Sequence, residues 1–176
     1  MKYANIKNYD IADGLGVRVS LFVSGCHFHC KGCFNEIAWS FDYGKDFTDE
    51  TINYILELMD KDYIDGLTLL GGEPFEKVNQ REEIKLLRAV KERFPKKNIW
   101  AYSGYLFNDI KDADGEAHCE VSDEFISYID VLVDGQFKIE LKDISLKFRG
   151  SSNQRIIDVK KTLASGKVTL ISELMD

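Results

Sequence analysis

Proline is scarce here, with two residues in 176, and no Pro-, Gly- or Ser-rich stretch or low-complexity tract divides the chain. With no linker marked, residues 1–176 read as one domain. No apolar run approaches the ~20 residues of a membrane span. Met1 to Asp10 lacks the apolar segment with positive flanks that makes a signal peptide. A cytoplasmic protein with no membrane partner is the expectation. Basic residues are outnumbered, 23 Lys and Arg against 30 Asp and Glu, for a net charge of −7. That balance argues against a nonspecific nucleic-acid binder. A full eight-fold (β/α) barrel, at about 250 residues, is excluded by length. What remains is an ordinary globular composition, 44% hydrophobic, long enough to bury about 70% of its unfolded surface.

Cysteines are few and uneven. Of four, Cys26, Cys30 and Cys33 crowd into eight residues, and Cys119 stands alone. A disulfide framework would spread an even number over a small secreted chain. The crowded three read as metal ligands in a reducing compartment. Their pattern, C-x3-C-x2-C, lets a short loop wrap three thiolates around one face of an iron–sulfur cluster. Three ligands to a [4Fe–4S] cube leave one iron open for substrate, as catalytic metal sites leave a position open. Zinc is the rival, with His27 or His29 as fourth ligand, although no second C-x2-C knuckle follows. Three unligated core thiols do not suit so polar a loop. Cys119 and His118, in the polar run Lys111 to Glu124, read as surface residues.

The apolar pattern alternates between strand and helix. Val17 to Val23 is a β-branched apolar run, a buried strand that enters the cysteine loop. Thr48 caps a helix with Ile52, Ile55, Leu56 and Met59 on one face. Leu67 to Leu70 is a strand, and Ile84, Leu87, Val90 and Phe94 mark a helix stopped by Pro95. Ile99 to Tyr102 is a strand, Glu124 to Ile129 a helix after a Ser122 cap, and Val131 to Val133 a strand. Arg155 to Val159 is a candidate fifth. Such alternation makes an α/β fold with a mostly parallel sheet.

Each strand ends on something chemically pointed: the cysteines, then Gly71-Gly72-Glu73-Pro74, Ser103-Gly104 and Asp134-Gly135. Active sites of parallel α/β folds lie along that edge. Glycines permit close backbone approach to a ligand, and a neighbouring carboxylate accepts from an ammonium group. Each of these pairs is also an ordinary turn sequence.

C-x3-C-x2-C after a first strand resembles the signature of the radical S-adenosylmethionine (SAM) superfamily. Asp13-Gly14-Leu15-Gly16-Val17-Arg18 resembles the Asp-Gly-Pro-Gly-x-Arg segment of its glycyl-radical-enzyme activases, with Leu15 in place of proline. Gly25 to Cys33, Asn35 and the stretch Phe148 to Arg155 are most similar to the activating proteins of the anaerobic (class III) ribonucleoside-triphosphate reductases. The likeness runs from about residue 13 to 159.

The resemblance implies a partial (β/α) barrel of radical SAM type. It implies a [4Fe–4S] cluster on Cys26, Cys30 and Cys33, with SAM on the open iron. Gly71, Gly72, Glu73 and Pro74 would grip its methionyl amine; the Ser103 hydroxyl could bond its carboxylate or ribose, and Asp134 an amine, a ribose hydroxyl or a cation. Many members carry an aromatic before the third cysteine where this chain has Gly32, so main-chain atoms of Gly32, Cys33 and Phe34 would contact the adenine. The implied partners are the large subunit of the anaerobic ribonucleotide reductase, which receives a glycyl radical, and an electron donor such as flavodoxin. Arg149 and Arg155 could hold a carboxylate or an acidic partner surface. The alternatives are an activase of another glycyl radical enzyme such as pyruvate formate-lyase, a small-molecule radical SAM enzyme of the carboxy-deazaguanine type, a zinc-binding non-enzymatic module and an iron–sulfur carrier.

Overall fold

The structure is a computed structural model that describes residues 1–176. Its strands are β1 (Lys2–Asp10), β2 (Arg18–Val23), β3 (Lys45–Asp46), β4 (Gly66–Gly71), β5 (Asn98–Tyr102), β6 (Val131–Asp134) and β7 (Arg155–Asp158). Its helices are α1 (Asp49–Met59), α2 (Lys77–Arg93), α3 (Phe107–Lys111), α4 (Ser122–Tyr128), α5 (Val159–Ser165) and α6 (Ser172–Met175). One mixed sheet runs β3-β1-β2-β4-β5-β6-β7. The central pairs β2/β4, β4/β5 and β5/β6 are parallel. The margins are antiparallel: β1 on β2, β3 on β1, and β7 on β6.

The parallel centre follows from the pattern. β2 is buried along its whole length, and β4 over all but its last residue, as strands covered on both faces must be. Helix α1 begins at the expected cap, where the Thr48 Oγ1 accepts from the Thr51 N–H at 3.4 Å and the Thr51 Oγ1 accepts from the Thr48 N–H at 3.2 Å. The apolar faces of α1, α2 and α4 join the outward side chains of the central strands in a cluster of 28 buried residues. Trp100, Val133 and Ile156 point to the other face, where Leu174 of α6 covers them.

Three features differ from the sequence reading. Strand β1 is unanticipated: it is mostly half-buried or exposed, and its Asn- and Lys-rich residues show no clean alternation. It forms because β2 offers an edge. Helix α4 starts at Ser122 itself. The Ser122 hydroxyl accepts from the Cys119 N–H at 2.9 Å, so it closes the preceding turn instead of capping the helix. Cys119 and His118 are not surface residues. Cys119 is 8% exposed, and His118 is half-buried with its Nδ1 2.9 Å from the Ile110 carbonyl.

Candidate functional site

Parallel pairing sets the ends of the central strands side by side, Val23 beside Gly71 and Tyr102 beside Val133. The turns that follow enclose a cavity of about 540 Å³, within the ~300–1,000 Å³ of ligand clefts. Cys26, Cys30 and Cys33 all line it, as do Gly71, Gly72 and Glu73. All three cysteines are free thiols. Burial pushes the Cys26 thiol up to about 12 and raises that of Cys30. Cys26 and Cys30 therefore hold their protons, and metal ligation there would release them.

The cysteine loop and the Gly-Gly-Glu turn are one unit. The Glu73 N–H donates to the Gly25 carbonyl at 2.8 Å, and the Gly72 N–H to the Val23 carbonyl at 2.7 Å. Gly71 has φ +113°, and a Cβ at Gly72 would stand 2.6 Å from the Gly25 carbonyl oxygen. Both positions require glycine. Asn79 Nδ2 donates to the carbonyls of Ser24 and Glu73, each at 3.0 Å. Glu76 Oε1 accepts from the His27 N–H at 2.9 Å and lies 2.9 Å from its Nδ1.

The other expected site residues divide. Glu73 is 2% exposed, and its carboxylate already binds this chain. Its Oε1 accepts from the Phe75 N–H at 2.9 Å and the Ser103 hydroxyl at 2.8 Å, and its Oε2 from the Gly104 N–H at 2.7 Å. Burial nonetheless pushes Glu73 up to about 7. Ser103 and Gly32 also line the cavity, and Phe34, 85% exposed, stands at its rim. Pro74 is buried behind the turn, outside the cavity wall. Asp134 is outside it too. Its oxygens accept from Arg155 Nε at 2.8 Å, Arg155 Nη2 at 2.5 Å and the Phe107 N–H at 2.8 Å. Arg149 reaches the cavity, but it donates to the carbonyls of Gln154 and Met175.

Asp13 and Tyr102 also reach the cavity; the sequence assigns no site role to Asp13, and for the aromatics of Trp100 to Tyr105 core packing is the default expectation over lining a cavity. Burial, with help from neighbouring Asp10, pushes Asp13 up to about 7. Neither histidine of the cysteine loop lines the cavity. His27 is turned to Glu76, and His29 stacks on Trp39 with ring centroids 4.5 Å apart. Nowhere do three His, Cys, Asp or Glu side chains converge closely enough for one metal ion. Three thiols lining one cavity fit a polynuclear cluster, whose ligands sit on different irons.

Residues 12–157 match the sequence model of the 4Fe-4S single cluster domain. The chain belongs to that family. Relatives of the chain carry the name anaerobic ribonucleoside-triphosphate reductase-activating protein. The one from Enterobacteria phage T4 is 40% identical over 156 residues, covering 89% of this chain and 93% of the relative. That of Vibrio cholerae is 37% identical over 158 residues, 89% of this chain and 97% of the relative. That of Escherichia coli K12 is 36% identical over 156 residues, 88% and 96%.

Proposed function

We propose that this protein is a radical SAM activase of an anaerobic ribonucleoside-triphosphate reductase. The observation that carries the reading is the meeting of Cys26, Cys30 and Cys33 with the Gly71-Gly72-Glu73 turn in one cavity. The relatives' shared name supplies the partner, an anaerobic ribonucleoside-triphosphate reductase, whose large subunit would receive the glycyl radical. Bound together, a reduced [4Fe–4S] cluster and SAM supply a 5′-deoxyadenosyl radical able to abstract a glycine Cα hydrogen.

The chain's own residues hold and shield that chemistry. Cys26, Cys30 and Cys33 hold the cluster. Gly71 and Gly72 present backbone to the methionyl amine, and Glu73, braced by Ser103 and Gly104, adds negative charge behind it. Gly32, Cys33 and Phe34 offer main-chain atoms to the adenine. Ser103 and Asp134 act at one remove: Ser103 fixes Glu73, and Asp134 fixes Arg155. The sheet does not close on itself: β3 and β7 are its outermost strands, with β7 paired on its outer side by the segment Thr169–Ile171. An unclosed sheet supports a partial barrel whose gap admits a partner's loop. Flavodoxin, as a small acidic electron carrier, is a fitting reductant. No helix is long and apolar enough to cross a membrane, and a cytoplasmic setting without nucleic acid suits the acidic composition.

Anaerobic reconstitution with iron and sulfide, then dithionite and SAM, tests the reading. Formation of 5′-deoxyadenosine and a glycyl-radical EPR signal on added reductase are the expected results. Zinc in place of iron and sulfide in anaerobically purified protein would overturn it. Cys26→Ala, Cys30→Ala and Cys33→Ala should each abolish SAM cleavage.

A further inference from the structure

Helix α2 carries a polar stripe on the face it packs against the sheet: Asn79, Gln80 and Glu83, all fully buried. Gln80 is satisfied at both ends. Its Nε2 donates to the carbonyls of Phe75 and Ala117, and its Oε1 accepts from the Ser122 hydroxyl. Asn79 is satisfied only through Nδ2; its Oδ1 accepts from nothing. Glu83, one helical turn later, has neither carboxyl oxygen partnered.

A buried carboxylate with no donor is a costly arrangement. Burial raises the Glu83 carboxyl well above the usual range, and the nearby Glu73 adds to this. A neutral carboxyl changes the arithmetic, because it has a proton to donate. Residues four apart on a helix share a face, so the nearest orphan acceptor in sequence is Asn79 Oδ1. The direction of the Asn79 amide matters. A flip would set its oxygen against two carbonyl oxygens, those of Ser24 and Glu73.

We propose that Glu83 is a neutral buried donor that orients the Asn79 amide, directly or through one buried water, and that the pair holds the cysteine loop against the Gly-Gly-Glu turn. Both are positioning residues. Ser24 leads directly into Gly25-Cys26, and Glu73 closes the turn, so one amide group spans the two halves of the site. The pair's catalytic consequence rests on the proposed function, but its structural content does not.

Amide hydrogen exchange on the full chain tests the structural content without SAM or reductase. The amides to follow are Gly72 and Glu73, which donate across the junction. Asn79→Ala and Glu83→Leu should each speed their exchange about tenfold. Glu83→Gln, whose amide also donates, should stay within about twofold of the parent. A packing role alone predicts the reverse order, since leucine fills the space without a polar group. Equal exchange in Glu83→Leu and the parent overturns the proposal, as does exchange in Glu83→Gln as fast as in Glu83→Leu. Infrared spectroscopy at neutral pH gives a check that survives misfolding of the leucine variant. The parent should show a protonated-carboxyl band that Glu83→Gln lacks, and no such difference overturns the proposal. In the reconstituted protein, Glu83→Leu should raise the KM for SAM several-fold and Glu83→Gln should not. If no SAM is cleaved by any form while the exchange and infrared results hold, the proposed function fails and the positioning pair stands.

Discussion

Glu73 shows how far a residue's surroundings can redirect what its type implies. In sequence it is a carboxylate beside two glycines, free to meet an ammonium group. In the fold it is also the tie between the end of β4 and the end of β5. Its titration gives a test. An unfolded glutamate titrates near 4.5, and burial moves the folded group to about 7. Between those values the folded state keeps a proton that the unfolded state releases. The stability contribution is therefore fully present below about 4.5 and declines as pH rises to about 7. Urea midpoints should fall across that window, and Glu73→Gln should remove part of the slope; parallel slopes in both proteins would refute the assignment. Cys119 makes the complementary point. Its polar neighbours in sequence suggested exposure, yet it is buried beside Ser122. Cys119→Ala should cost about 1–2 kcal/mol in stability through the small lost side chain. Iron content after reconstitution should equal the parent's. The meeting of Cys26, Cys30 and Cys33 in one cavity was legible, because thiols in a short polar loop have few uses. The burial of Cys119 was not, because it depends on how residues 112–122 fold over α2.

At the scale of elements, legibility tracked burial. β2, β4 and β6 are short runs dense in Val, Ile and Leu, and β5 is a short apolar run with an aromatic, Ile99-Trp100-Ala101. Runs of that kind have one economical home, the middle of a sheet. β1 and β7 lie outside that centre, where neighbours decide what forms, and β1 carries no clean apolar alternation. The apolar stripe that marks helix α2 starts at Ile84, but the helix begins at Lys77. Its first two turns hide Asn79, Gln80 and Glu83 on the same face, and polar residues there look like loop in a hydrophobic pattern. Three polar residues at 79, 80 and 83, in phase with Leu87 and Val90, were the available signal for a buried bracing network. The junction of turns offers a sharp element-level test. A methyl group at Gly72 meets the Gly25 and Ala38 carbonyl oxygens at 2.6 and 2.9 Å, and backbone cannot yield as a flexible side chain can. Gly72→Ala should separate the turn from the cysteine loop and lower stability by about 2–3 kcal/mol. Thermal melting measures the stability loss. Faster exchange at the Glu73 amide should accompany it, and an unchanged melt together with unchanged exchange would show that the two turns are not in contact.

At the scale of the whole molecule, the sheet is two-sided, and its two faces are covered by different means. Helices α1, α2 and α4 cover one face. The other face holds the cavity at the strand ends, and farther along β5–β7 it is closed by the C-terminal segment. Ile171 donates its N–H to the Ile156 carbonyl, Met175 Sδ lies 3.3 Å from the Ile156 N–H, and Leu174 sits on Trp100, Val133 and Ile156. Arg149 links this cover to the cavity, since it lines the cavity and donates to the Met175 carbonyl at 2.8 Å. A length too short for a full barrel thus does not leave the whole inner face open; the tail fills part of it. Leu174→Ala should lower stability by about 2–3 kcal/mol, toward the small end for a buried leucine because the site is at the chain's end and can collapse. Iron loading should not change, because no residue of α6 lines the cavity that the cysteines share. The informative measurement is exchange around Arg149. If the tail supports that wall, residues 148–154 should exchange faster in Leu174→Ala, while Cys26–Cys33 exchange as in the parent. Acceleration spread equally over both segments would mean that the variant loosens the fold as a whole, and that the tail does not act on the cavity through Arg149.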